Sequence, residues 1–216
     1  MSKIKIPKYS LSEELINAIS HGIGAGLSIA GLVILIVISA HHGNPIAVTT
    51  SAIYGSLAII LYTISCIYHS LSPKLEAKKV LRVIDHCNVF LLVAGTYTPI
   101  TLVCFNDTIG WIVFALVWII TIIGIVLTAI NVDKYQVPSV ICHLLSGWLI
   151  VFAWEELVTK MDINGIILLI LGGLAYTIGA ILYGLGSKIK YMHSVFHFFV
   201  LLGSILHFLT ICLYVV

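Results

Sequence analysis

Seven apolar stretches, each long enough to cross a bilayer, take up most of this 216-residue chain: residues 18–40, 46–71, 80–103, 109–130, 137–154, 163–186 and 193–216. A hydrocarbon core needs roughly 20 residues of helix to span it, so the pattern predicts an all-α, polytopic membrane protein folded as a seven-transmembrane helix bundle. The composition agrees: 60% of residues are hydrophobic and 9% charged, with a mean hydropathy of +1.13, whereas soluble domains carry about 25% charged residues. The connections are too short to hold a soluble domain, so residues 1–216 are expected to form one membrane domain.

Positive charge orients such a bundle. Seven spans put the N-terminus on the same side as the connections after spans two, four and six. That side collects Lys3, Lys5, Lys8, Lys74, Lys78, Lys79, Arg82, Lys134, Lys188 and Lys190, and the other side has only Lys160. The expectation is a plasma-membrane protein with residues 1–17 in the cytoplasm and the C-terminus outside. The first apolar run is a full span, so it is read as the first helix and not as a cleaved leader. Ahead of it, Ser10-Leu11-Ser12-Glu13 has the form of a capping box. Leu11, Leu15, Ala18 and Ile19 follow on one face, which predicts a short amphipathic helix lying on the inner surface, or else an ordinary helix cap.

The remaining punctuation is structural. Five cysteines inside spans, with no paired spacing, are expected to be small core residues. Gly22-x3-Gly26 and the stretch from Gly172-Gly173 to Gly179 are expected to mark close helix packing. Pro99, inside span three, is expected to kink it.

Ionisable side chains within a span are costly and are functional candidates by default. They are His69 in span two, Asp85 and His86 in span three, His143 in span five, and His193, His197 and His207 in span seven. Spacing of i, i+4 puts His193 and His197 on one helical face. Span two ends, and spans three and seven begin, at the side assigned to the cytoplasm. His69, Asp85, His193 and His197 therefore share a depth within about two turns of that surface. Three imidazoles plus a water make an open zinc site, in which the metal acidifies the water and polarises a carbonyl. Asp85 can orient or deprotonate that water or act as a fourth ligand; it can also pair with Arg82, one turn earlier. Ser65, on the His69 face, can hydrogen-bond the water or a developing oxyanion.

The other histidines read as structural. His207 is ten residues past His197, roughly 15 Å along a helix, too far to share a metal. His143 has no partner ligand on its own helix, and His86 points away from Asp85. His21, His41 and His42 fall near the surfaces and Glu155 and Glu156 at an outer boundary.

Several motifs carry a family resemblance: Glu14-Leu15-Ile16-Asn17-Ala18-Ile19-Ser20-His21, Ser65-x3-His69-Ser70, Arg82-x2-Asp85-His86 running on to Ala94-Gly95-Thr96-Tyr97-Thr98-Pro99, and His193-x3-His197 with Gly203 and His207. Together they resemble the haemolysin III branch of the progestin and adipoQ receptor superfamily, which includes adiponectin receptors and is grouped with alkaline ceramidases. The resemblance implies an intramembrane zinc held by His69, His193 and His197, with Asp85 and Ser65 completing the site. The implied chemistry is hydrolysis of a lipid amide; the name of the branch implies haemolytic, pore-forming activity, and the resemblance also implies a role in membrane-lipid homeostasis. Three functions follow as alternatives: a zinc-dependent hydrolase of a lipid amide or ester, a cytolytic pore former, and a lipid sensor with structural zinc. A membrane lipid is the expected partner. Nucleic-acid binding has no support, because the net charge of +2 is accounted for by the one-sided distribution of lysine.

Overall fold

The computed structural model describes residues 4–186 and 188–216; Lys3, counted above among the cytoplasmic charges, lies outside them. The described residues are all-α, with seven spans long and apolar enough to cross a membrane. They are α1 (Leu11–His41), α2 (Pro45–Ser70), α3 (Glu76–Pro99) extended by a π-helical turn (Ile100–Phe105), α4 (Thr108–Ile130), a broken fifth span, α7 (Ile163–Leu185) and α8 (Met192–Tyr214). The fifth span is α5 (Gln136–Gly147), a 3-10 turn (Leu149–Ala153) and α6 (Trp154–Lys160). The sequence gives no sign of its break after Gly147, and it runs on to Lys160, so Glu155 and Glu156 sit within its last helix.

The bundle has its polar side chains inward. On α1, Ile19, Ile23, Leu27, Ile34 and Val37 are exposed, while Glu13, Asn17, Ser20, His21 and Gly24 are buried. In lipid the apolar face has a favourable solvent outside, so polar groups collect where partners exist. This corrects the expectation of a separate interfacial helix. The capping box is present, with Ser10 and Glu13 each accepting from the other's backbone N–H, but the helix it opens continues unbroken to His41. Leu11, Leu15 and Ile19 face outward as its first lipid-side residues.

Short connections set neighbours. After α1, Gly43 turns the chain at φ +67°, a conformation natural to glycine. Asn44 then caps α2 by accepting from the N–H groups of Ile46 and Ala47, with Pro45 in the first turn. α1 approaches α2 closely at Gly24, where a Cβ would lie 2.6 Å from the Tyr62 ring, and at Gly55, where one would lie 2.6 Å from Leu32; Gly22 meets Cys66 of α2 at 3.4 Å, while Gly26 has open space beside it. Of the Gly22-x3-Gly26 pair, Gly22 therefore marks a helix contact and Gly26 does not. In span six, Gly172 does lie against a neighbour, the His207 ring of α8.

At Pro99 the α-helix gives way to the π-helical turn, because Pro has no N–H to continue the ladder. Asn106, at φ 49°, closes that turn by donating to Thr101 O. This end of the bundle is latched by Lys160, which bonds Asp107, Phe105 O and Glu156. The five cysteines are free and half-buried.

At the opposite end, residues 4–10 form an extended strap. The Lys5 N–H donates to Asp133 at 3.1 Å, and Arg82 Nη1 donates to both Lys5 O and Asp133, each at 2.8 Å. Arg82 is thus engaged by Asp133 and not by Asp85. Burial acts to raise the Asp133 carboxyl, but the Lys5 N–H and the Arg82 guanidinium hold it below its ordinary value and so keep it ionised.

Candidate metal centre

Three helix ends converge beneath the strap. His69 is in the last turn of α2, and His193 and His197 are in the first two turns of α8. The start of α8 is fixed to the start of α1: Tyr191, at φ +66°, donates its N–H to Glu13 at 2.8 Å, and its hydroxyl lies 3.0 Å from Ser12 Oγ. The carboxylate that completes the α1 capping box therefore also sets where the paired histidines begin.

His69, His193 and His197 are buried, and each offers a ring nitrogen within 4.8 Å of those of the other two. The Nε2 atoms of His193 and His197 are 3.2 Å apart. Two nitrogens bound to one tetrahedral zinc at 2.0–2.1 Å would lie about 3.3 Å apart. The third donor is prepared from behind: His69 Nδ1 bonds Glu14 Oε2 at 2.7 Å, leaving Nε2 buried without a protein partner. An unpartnered buried nitrogen costs about 1–3 kcal/mol, whereas a metal would satisfy it. A carboxylate holding the far nitrogen of a histidine is the usual outer support of a metal ligand. The residues thus fit a metal ion.

Glu14 is itself anchored. Its other oxygen accepts from Lys78 Nζ at 2.6 Å, and the fully buried Lys78 also donates to Leu71 O. Removing Glu14 alone would strand a buried charge at about 3–5 kcal/mol, so the informative variant is Glu14→Gln with Lys78→Met. We expect its metal affinity to fall about 10- to 100-fold, read by competition with a chromophoric chelator, with helical content unchanged. Wild-type affinity would reduce Glu14 to a packing role.

The strap covers the cluster from outside the bundle. Tyr9 stacks on His193, with ring centroids 4.8 Å apart and planes inclined by 16°. Inside the bundle, a cavity of about 160 Å³ begins at Ser65, Asp85, His193 and His197 and continues between walls such as Val89, Leu92 and Val200. Asp85 lines this cavity outside the three-histidine group, with Ser65 on the same wall. His86 and Gln136 both bond the Tyr183 hydroxyl at 3.0 Å, and His143 stacks on Phe90; neither His86 nor His143 joins the cluster. His207 donates Nε2–H to Leu169 O at 3.1 Å, while Ser204 bonds Tyr62 and Tyr176.

Three contributors escape a reading of the sequence. His21, expected near a surface, is buried, and its ring centroid is 3.8 Å from that of His197. Glu14 supports His69, and Tyr9 roofs His193. The first two carry a usable signal: Glu14, Asn17 and His21 recur at helical spacing on one face. Tyr9 carries none, because its segment is not helical.

Seven membrane-length helices with a buried three-histidine cluster beside an internal cavity define a class, that of polytopic helical membrane proteins with an intramembrane metal-binding site. The chain belongs to the Haemolysin-III related family, whose sequence profile matches residues 9–208. It is 39% identical to Hemolysin-3 of Bacillus cereus over 206 residues, covering 95% of this chain and 93% of the relative. Identity to the Hemolysin-3 homolog of Bacillus subtilis (strain 168) is 36% over 208 residues, covering 96% and 97%. A more distant relative, Monocyte to macrophage differentiation factor of Homo sapiens, is 25% identical over 173 residues, covering 76% of this chain and 70% of the relative. No solved structure matches the chain significantly.

Proposed function

We propose that this protein is a zinc-dependent hydrolase of a membrane-lipid amide or ester. The observation that carries the reading is the juxtaposition of three buried imidazoles with a carboxylate, Asp85, that faces an apolar cavity inside the span region. His69, His193 and His197 would hold the metal. The chemistry such a site gains from zinc is Lewis acidity, which polarises a carbonyl and lowers the pKa of a bound water to about 7. Asp85 takes a proton from the attacking water as the new C–O bond forms. It returns that proton to the leaving nitrogen or oxygen as the scissile bond breaks, giving a carboxylic acid and an amine or alcohol. Ser65, on the cavity wall, assists the developing oxyanion, and Glu14 holds His69 in the tautomer that presents Nε2.

The charge distribution supports a site near the cytoplasmic face, with the N-terminus inside and the C-terminus outside. The substrate then enters from the inner leaflet, and the function is turnover of a bilayer lipid in membrane-lipid homeostasis. A sealed structural zinc usually has four protein ligands; the position of Asp85 outside the three-histidine group favours catalysis over a sensor with structural metal. The name Hemolysin-3, borne by the Bacillus cereus relative, favours a second reading, lysis of membranes. One experiment separates the two. Zinc-loaded protein in nanodiscs, given a panel of lipid amides and esters, should release fatty acid, detected by mass spectrometry. Release should stop on chelation and return with zinc. Leakage of dye from liposomes, with no release from any lipid, would replace hydrolysis by lysis.

A further inference from the structure

The cavity beside the cluster does not end blindly. A second cavity of about 110 Å³ adjoins it on the side away from the histidines, and the two share Thr96, Tyr97, Gly147, Trp148, Gly173 and His207 as common wall. His207 lies ten residues beyond His197 on α8, which puts this wall roughly 15 Å from the cluster. Beyond it the lining is almost wholly hydrocarbon, including Ile100, Ile150, Leu157, Leu169 and Ile170.

The partition is built around one side chain. Trp148 is the residue at which α5 ends and the 3-10 turn begins. Its Nε1–H donates to Thr177 Oγ1 at 3.0 Å, and the Thr177 hydroxyl in turn donates to Gly173 O at 2.8 Å. The indole is therefore tied to α7 one turn from Gly173. A Cβ on Gly173 would point at the Trp148 ring, 3.6 Å from Cη2 and Cζ2. The backbone behind the indole is pinned too, since Tyr97 OH donates to Gly147 O and accepts from the Ile150 N–H. The break in span five thus lays a hydrogen-bonded aromatic plate against a glycine, between two apolar chambers.

We propose that Trp148, held by Thr177 against Gly173, is the end stop that limits the length of the hydrocarbon tail the metal-side cavity accepts. This rests on reading the cavity as a lipid site but does not depend on turnover. Tails that reach from the cluster to the indole gain burial with each methylene, and longer ones gain nothing more. Opening the stop joins the chambers and extends the gain. One buried methylene corresponds to about a fourfold change in binding.

The test uses metal-loaded, detergent-purified full chain equilibrated with an equimolar mixture of octanoyl, dodecanoyl and octadecanoyl ethanolamides, with the retained acyl chain, as intact amide or as the fatty acid released from it, read by native mass spectrometry. Wild type should retain dodecanoyl and octadecanoyl amides about equally. Trp148→Ala should shift that ratio toward octadecanoyl at least about tenfold, with octanoyl retention unchanged. Thr177→Val keeps the indole but unties it, so it should move the ratio in the same direction by less, and it serves if Trp148→Ala fails to fold. A ratio unchanged in a folded, metal-loaded variant would overturn the end stop while leaving the lipid reading intact. Wild type that retains neither amide nor the fatty acid released from it, at any length, would overturn both.

Discussion

Replacing His193 and His197 together with alanine abolishes metal binding: wild type, purified without chelator, is expected to carry about one zinc per chain by inductively coupled plasma mass spectrometry, and the double variant none above background. The effect is large because the two donors form a rigid pair. They project from adjacent turns of α8 with Nε2 atoms 3.2 Å apart, so neither gives up much freedom on binding, and with both gone only the His69 nitrogen remains. Zinc sites of small proteins bind with about 10–16 kcal/mol; losing two of three protein donors is expected to cost at least three orders of magnitude in affinity. His207→Ala is the control within the same helix. That ring is spent on Leu169 O and lies roughly 15 Å further along, so its loss should leave the zinc content unchanged. Zinc retained by the double variant, or lost equally in His207→Ala, would remove the assignment.

Much of this arrangement is legible in the amino-acid sequence, for identifiable reasons. Seven spans follow from run length alone, since the bilayer fixes a length that no soluble core imposes. The convergence of His69 with His193 and His197 follows from topology: four spans, an even number of crossings, lie between the end of span two and the start of span seven and bring them to one surface. Leu11, Leu15 and Ile19 read as the lipid face of a separate surface helix; they are instead the first lipid-side residues of α1, and Glu14, Asn17 and His21, on its other face, turn to the site. Of the Gly22-x3-Gly26 pair only Gly22 meets α2, because Gly26 falls on the outward face. The break at Gly147 carries no signal, because the run remains apolar through it, and what fixes the chain there is a distant hydroxyl, that of Tyr97.

Asp85→Asn separates the metal from the chemistry. Asparagine keeps the size of the side chain, so the cavity wall persists, while the capacity to take a proton is lost. Because Asp85 stands outside the three-histidine group, the variant is expected to keep its zinc in full. Lipid-amide hydrolysis, measured as fatty acid released per chain at saturating substrate, should fall by about two to four orders of magnitude, the usual contribution of a positioned general base. The pairing of these two readouts gives the variant its force. Zinc retained with turnover lost assigns Asp85 to proton transfer. Zinc lost would make it a fourth ligand and shift the site toward the closed, structural kind. Zinc retained with turnover within tenfold of wild type would leave the carboxylate without a part in the reaction, and the base would then have to be sought among the other polar groups that line the same cavity, His21 and His86 first.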